Sequence, residues 1–135
     1  MSVKQVSVFL PNKPGILAKF SKLLLENDIN MRAMTVAETA DKGLLRMVVD
    51  KTDEAVELLK NYNYLVSVAD VIAVEVPDKP GGLYEIADML GDNDVNIDYI
   101  YSSTILKPEA IIVLSVDNTE KAIQIFQSKG INPIG

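Results

Sequence analysis

Two short loops carry the groups in this chain best placed to hold a small charged molecule. Asn12-Lys13-Pro14-Gly15-Ile16-Leu17 and Asp78-Lys79-Pro80-Gly81-Gly82-Leu83 each join an alternating segment to an amphipathic one, 66 positions apart. A helix that begins at such a loop leaves its first backbone N–H groups without intrahelical partners, and its dipole makes that end mildly positive. A small carboxylate fits there. In the first copy the candidate donors are the N–H groups of Gly15, Ile16 and Leu17, beside Asn12, whose amide both donates and accepts. In the second they are those of Gly81, Gly82 and Leu83, beside Asp78. Together such groups can hold a zwitterion, its carboxylate on amides and its ammonium on oxygens. The alternative is that Pro-Gly simply makes a turn and Asn12 or Asp78 caps the helix. Asn30 and Asn96 end a second repeated stretch, Asn-Asp-Ile/Val-Asn, and by themselves read as strand-entry turn residues.

The rest of the composition excludes more than it offers. With no histidine and no cysteine, the commonest general base, thiolate nucleophiles and the usual zinc ligands are all missing. No catalytic residue, cofactor or metal is expected. The net charge of −6, with its Lys and Arg scattered, argues against nucleic acid. No run of about 18 apolar residues exists to cross a membrane, and the start Met1-Ser2-Val3-Lys4-Gln5 leads directly into a strand pattern rather than a signal peptide. The expected location is cytoplasmic. Tyr99 and Tyr101 read as strand packing residues or pocket lining, Met31, Met34 and Met47 as core fillers, and Arg46 as an exposed strand position or a carboxylate partner.

The elements that must position the loops are themselves repeated. Residues 6–30 and 72–96 share 10 of 25 residues without a gap, and after one insertion Val49-Asp50-Lys51-Thr52 answers Val116-Asp117-Asn118-Thr119. A period of this length sets the structural unit before any other assignment. The first unit reads as a strand at Val6–Leu10, a helix carrying Ile16, Leu17, Phe20, Leu23 and Leu24 on one face, and a hairpin from Asn30–Thr39 to Leu44–Val49. Its turn is placed at Asp41-Lys42-Gly43. Capping residues at Asp50–Asp53 then start a second helix, and a short strand follows near Leu65–Val68. The second unit repeats this at Val71–Val76, Gly82–Leu90, Asn96–Thr104, Ala110–Val116, Thr119–Ser128 and a tail near Ile131–Ile134, with the inserted residue in the turn at Lys107-Pro108. Pro133 predicts that the last strand is short, at an edge, or completed by another element. The expectation is an α+β chain of two tandem ferredoxin-like βαββαβ units, residues 1–69 and 70–135, with antiparallel sheets and helices on one face.

Asn/Asp-Lys-Pro-Gly after the first strand, then Asn-Asp-Ile/Val-Asn before the second, on this plan, resembles the ACT domain family over nearly the whole chain, as two consecutive units. The resemblance implies a regulatory module that binds a free amino acid and acts allosterically. It places the site between paired units, where the first-strand loop of one meets the second-strand start of the other. Asn12 and Asn30 match the family's ligand asparagines, as do Asp78 and Asn96. One helix of about 12 residues separates Asn12 from Asn30 by about 18 Å, so a small ligand touching both kinds of position must pair Asn12 with Asn96 and Asp78 with Asn30. The resemblance implies a homodimer through ACT-ACT contacts and, as a further partner, an enzyme of amino-acid metabolism. Two rival functions are a ligand-free oligomerisation module and a small enzyme on the same scaffold.

Overall fold

A computed structural model of the chain describes residues 2–38, 42–77, 79–103 and 109–134, with the backbone alone at Ser103 and Glu109. The chain divides into two compact units, one of Lys4–Ala69 and one of Met1–Val3 with Asp70–Gly135.

In the first unit β1 (Val3–Pro11), α1 (Ile16–Glu26), β2 (Met31–Glu38), β3 (Lys42–Val49), α2 (Thr52–Asn61) and the start of β4 (Val66–Pro77) follow one another, with strand order β2-β3-β1-β4. β3 lies antiparallel to both β1 and β2. Strand alternation sends Val6, Val8, Leu10, Leu45, Met47 and Val49 to the same side. Phe20 and Leu24 of α1 and Ala55 and Leu59 of α2 close over that side, so one face of the sheet and one stripe of each helix share a core. The Phe20 and Tyr64 rings meet edge to face there, 5.4 Å between centroids.

The second unit contains the remainder of β4, α3 (Gly82–Asp92), β5 (Ile97–Ser103), β6 (Glu109–Val116) and α4 (Thr119–Ser128), with strand order β4-β6-β5. Ile72, Val74, Ile112, Leu114, Ile86, Leu90 and Phe126 make its core. The expected final strand is reduced to one bridge, in which the Ile134 N–H donates to the Ala73 carbonyl at 2.8 Å. This is the short ending that Pro133 predicts. The α+β, ferredoxin-like fold expected from the repeat is the fold observed.

Several local expectations are corrected. The strands placed at Leu65–Val68 and Val71–Val76 are one strand, β4, which passes through Ala69 and Asp70 without a break. Lys42 and Gly43 belong to β3 rather than to a turn; Thr39 and Asp41, and the second turn at Lys107-Pro108 with Thr104, lie outside the described residues. Met31 and Met47 fill the core as expected, whereas Met34 is exposed on edge strand β2. Arg46 is half-buried rather than exposed.

The Asn-Asp stretches end the first helix of each unit in the same way. Asn27 and Asn93 are the C-caps, and their side-chain amides donate back to Leu23 O at 2.9 Å and Met89 O at 2.8 Å. Asp28 and Asp94 then take left-handed conformations at φ 55 and 61. The N–H groups of Ile29 and Val95 return to the carbonyls of Leu24 and Leu90 while their side chains bury beneath the helix end. This is a Schellman-type stop with its hydrophobic contact, so the repeated Asn-Asp pair serves the fold.

Candidate functional site

Lys-Pro-Gly makes the same turn twice. The Ile16 N–H donates to Lys13 O at 3.4 Å and the Gly82 N–H to Lys79 O at 3.2 Å, with Pro and then Gly in the two central places. Gly15 (φ 84, ψ −11) and Gly81 (φ 94, ψ −12) have the values of the third residue of a type II turn, about +80° and 0°, which other residues resist. The same glycines are the helix N-caps, and neither helix has a side-chain cap. Asn12 therefore does not cap α1, and the capping alternative fails for it; Asp78 lies outside the described residues.

The donor set needs one correction. Ile16 and Gly82 spend their N–H groups on closing the turn, so they are not available to a ligand. Among the described residues the N–H groups of Gly15, Leu17, Gly81 and Leu83 have no intramolecular partner.

Asn30 and Asn96 stand at the far ends of α1 and α3 from the turns. Each is tied to the strand-to-helix junction of its own unit by a reciprocal pair. The Asn30 N–H donates to Asp50 Oδ1 at 2.9 Å and the Asp50 N–H to Asn30 O at 3.1 Å; for Asn96 and Asp117 the two bonds are 3.0 and 3.1 Å. The sequence places the cap of α2 within Asp50–Asp53; Asp50 Oδ1 instead accepts from Asn30, and the N-cap is Lys51 with no side-chain bond. The Lys51 amine instead donates to Asp28 O at 3.0 Å and lies 3.4 Å from that aspartate's carboxylate. In the second unit Asn118 takes the N-cap place and accepts from the Lys121 N–H at 3.1 Å. The Asp50 and Asp117 ties were missed in the sequence although both aspartates lie in the repeat, because aspartate before a helix reads first as a cap. Asp50→Ala is expected to lower stability by about 1 kcal/mol, and Asp50→Asn, which keeps an acceptor oxygen, by less than half of that. Urea unfolding of the two variants checks this, and equal losses would show that the acceptor is irrelevant.

Both second strands also carry an irregularity just after the asparagine, between Met31 and Ala33 and between Ile97 and Tyr99. A bulge of this kind re-aims side chains. The residue passed over is Arg32 in one unit and Asp98 in the other, and Asp98 accepts from the Asn96 side-chain amide at 3.1 Å. The residue passed over thus carries opposite formal charge in the two units.

The α1 helix keeps Asn12 and Asn30 apart within the first unit. Its 11 residues span about 16 Å at 1.5 Å each. Beside the second turn, Lys79, Gly82 and Leu83 line a cavity of about 360 Å³ with Ile100, Tyr101 and Ser102 of β5, and beside the first, Pro11 and Lys13 line one of about 610 Å³ with Tyr62, Asn63 and Tyr64. Tyr101 is thus both half-buried strand packing and cavity lining. Among the described residues there is no cluster of His, Cys, Asp or Glu that could hold a metal ion, and no helix is long and apolar enough to cross a membrane.

A tandem of ferredoxin-like units, each with a glycine turn leading into its first helix, defines a class of small paired α+β modules. The chain belongs to the ACT domain pair family, whose profile matches residues 1–134. It is 33% identical over 73 residues to the acetolactate synthase small subunit of Mycolicibacterium smegmatis, covering 52% of this chain and 43% of that one. It is 35% identical over 69 residues to a probable acetolactate synthase small subunit of Archaeoglobus fulgidus, covering 49% and 43%. The chain thus spans less than half the length of these curated relatives. A crystal structure of a protein from Bacteroides thetaiotaomicron superposes with a TM-score of 0.93 at 34% identity, over 99% of this chain and 92% of that one. The ligand-free regulatory subunit of aspartate kinase from Thermus thermophilus shares the fold, with a TM-score of 0.70 at 17% identity over 93% and 91%.

Proposed function

We propose that this protein is a cytoplasmic regulatory sensor of a free amino acid, without catalytic activity of its own, in which residues 1–69 and 70–135 act as paired ACT units. The observation that carries this reading is the duplicated type II turn, which brings unpartnered first-turn N–H groups to the start of a helix in each half of an ACT pair. These groups favour a carboxylate. Because α1 separates Asn12 from Asn30, a ligand using both kinds of position takes the turn from one unit and the strand-entry asparagine from another, Asn12 with Asn96 or Asp78 with Asn30. The protein acts as a homodimer. Likeness to acetolactate synthase small subunits supports an amino-acid biosynthetic enzyme as the regulated partner. Occupancy changes contact with that partner only if the two arrangements bind the ligand with different affinity.

Thermal unfolding of the full chain against each of the twenty amino acids tests the reading. A ligand at about 100 times its dissociation constant adds roughly 2.7 kcal/mol of apparent stability, which a melting curve resolves. If none of the twenty raises the melting temperature, the protein is not an amino-acid sensor.

A further inference from the structure

The cavity of about 610 Å³ lies where the connection from α2 to β4 meets the end of β1, and all of its lining belongs to the first unit. Val8 and Leu10 belong to the helix-covered core, so strand alternation sends Phe9 and Pro11 to the opposite face of the sheet. Lys42 stands across from Pro11 and shares its face. The Phe9 N–H donates to Leu65 O at 3.3 Å, and Leu65 alternates with Val66, which packs against the core, so Leu65 falls beside Phe9 on the helix-free side. Of the first turn only Lys13 reaches the cavity; Gly15, Ile16 and Leu17 do not line it. It is therefore separate from the N–H groups that the turn leaves unpartnered.

The rings of Phe9, Tyr62 and Tyr64 line this space with Leu65. Phe9, Tyr62 and Leu65 are 44, 60 and 69% exposed, and large apolar side chains left open around one cavity favour a flat apolar occupant. The charged lining residues are Lys13 and Lys42; Leu10, Pro11 and Asn63 complete the described lining, which thus holds two cations and no acid in a chain of net charge −6. The Lys13 ammonium forms no ion pair among the described residues. Rings alone attract a cation to their faces, but two ammonium groups at the same cavity repel one. An anion is favoured instead, and the ammonium of an amino acid finds no carboxylate in this lining.

The second unit does not repeat the arrangement. At the places matching Phe9, Tyr62, Tyr64 and Leu65 it carries Glu75, Lys129, Ile131 and Asn132. The cavity beside its turn has one ring and one cation, Tyr101 and Lys79.

We propose that the first unit holds a second ligand site, for a planar aromatic anion without an ammonium group, its ring against Phe9 and Tyr62 and its anionic end at Lys13 and Lys42. The volume lies within the range of small-ligand sites, about 300–1,000 Å³. A nucleotide phosphate and an aromatic carboxylate share this chemistry. The site goes beyond the sensor reading and stands independently of it.

Isothermal calorimetry on the full chain with matched pairs separates the two sources: adenosine monophosphate against adenosine, and hydrocinnamate against phenylalanine, which differs from it by the ammonium group alone. At least one of the two anions is expected to bind at one site per chain, and its counterpart to displace it at least tenfold more weakly; which anion binds names the source. Leu65→Glu, at an exposed position, sets a carboxylate in the lining and is expected to weaken that binding at least tenfold. Tyr62→Ala, also at an exposed position, is expected to weaken it at least threefold, and Lys129→Gln, at the matching place in the second unit, to leave it within twofold. Binding by neither anion overturns the proposal, as does displacement by the counterpart at equal affinity or full binding in Leu65→Glu. Displacement of the anion by an amino acid that stabilises the chain overturns it too, because the two then share one place, and leaves the sensor reading standing. Silence from all twenty amino acids removes the sensor reading and leaves the anion site untouched.

Discussion

Phe20→Ala is expected to destabilise the first unit by about 3–5 kcal/mol, the cost typical of removing a fully buried aromatic side chain and leaving part of its volume empty. Phe20 has no solvent exposure. Its ring meets Tyr64 at an interplanar angle of 86°, and such edge-to-face pairs are worth about 0.5–1.5 kcal/mol beyond the area they bury. The repeat shows how the two cores share this volume. Phe20 of α1 corresponds to Ile86 of α3, 66 positions on, and Leu59 of α2 corresponds to Phe126 of α4, 67 positions on. All four are buried. Each unit thus carries one phenylalanine and one smaller aliphatic residue beneath its helices, but on opposite helices. Volume-conserving exchanges are the ones a close-packed core tolerates best. Phe20→Ile alone should therefore cost more than the double variant Phe20→Ile with Leu59→Phe, which rebuilds the second unit's arrangement in the first. A coupling above about 0.5 kcal/mol in that cycle, measured by urea unfolding, is the expected result. Strict additivity would show that the two sites do not share a packing space.

The parts of this fold that were legible in the sequence are those decided within a few residues. Lys-Pro-Gly prescribes a type II turn because proline presets one central residue and glycine alone accepts the left-handed place of the other. Asn-Asp followed by an aliphatic residue ends a helix for equally local reasons. Where a distant group competes, local reading fails. Asp50 would be a good helix cap, yet its Oδ1 accepts from the distant Asn30 N–H at 2.9 Å and the N-cap falls one residue later, at Lys51. Ala69 and Asp70 read as a break because aspartate is uncommon in strands. The backbone remains extended through them, since strand continuity is set by pairing rather than by the residue itself. The candidate site divides in the same way: the glycines and asparagines could be picked out by their repetition, while Lys79, Ile100 and Ser102 come together only once β5 is in register with β6. Which N–H groups the turn consumes likewise becomes known only when the turn has closed.

Gly82→Ile is expected to act twice, on stability and on ligand response, and the two effects can be separated. A Cβ at position 82 would lie 2.7 Å from the Pro77 carbonyl oxygen, closer than real contacts allow, and the atom it meets is backbone. The turn must open to admit any side chain. Forcing a side chain into a close-packed site costs about 1–3 kcal/mol, offset in part by about 0.5–1 kcal/mol from replacing glycine in a helix. A net loss of about 1–2 kcal/mol is therefore expected in urea unfolding. Gly82→Ala meets the same oxygen with the same Cβ but leaves most of the cavity open. It should lose similar stability and keep the melting-temperature rise produced by whichever amino acid stabilises the unsubstituted chain. Gly82→Ile is expected to lose that rise, because its side chain extends from the turn at which the proposed ligand is held. If alanine abolishes the response as completely as isoleucine, the geometry of the turn governs binding and the open volume does not. If isoleucine leaves the response intact, the turn at Gly82 does not hold the ligand.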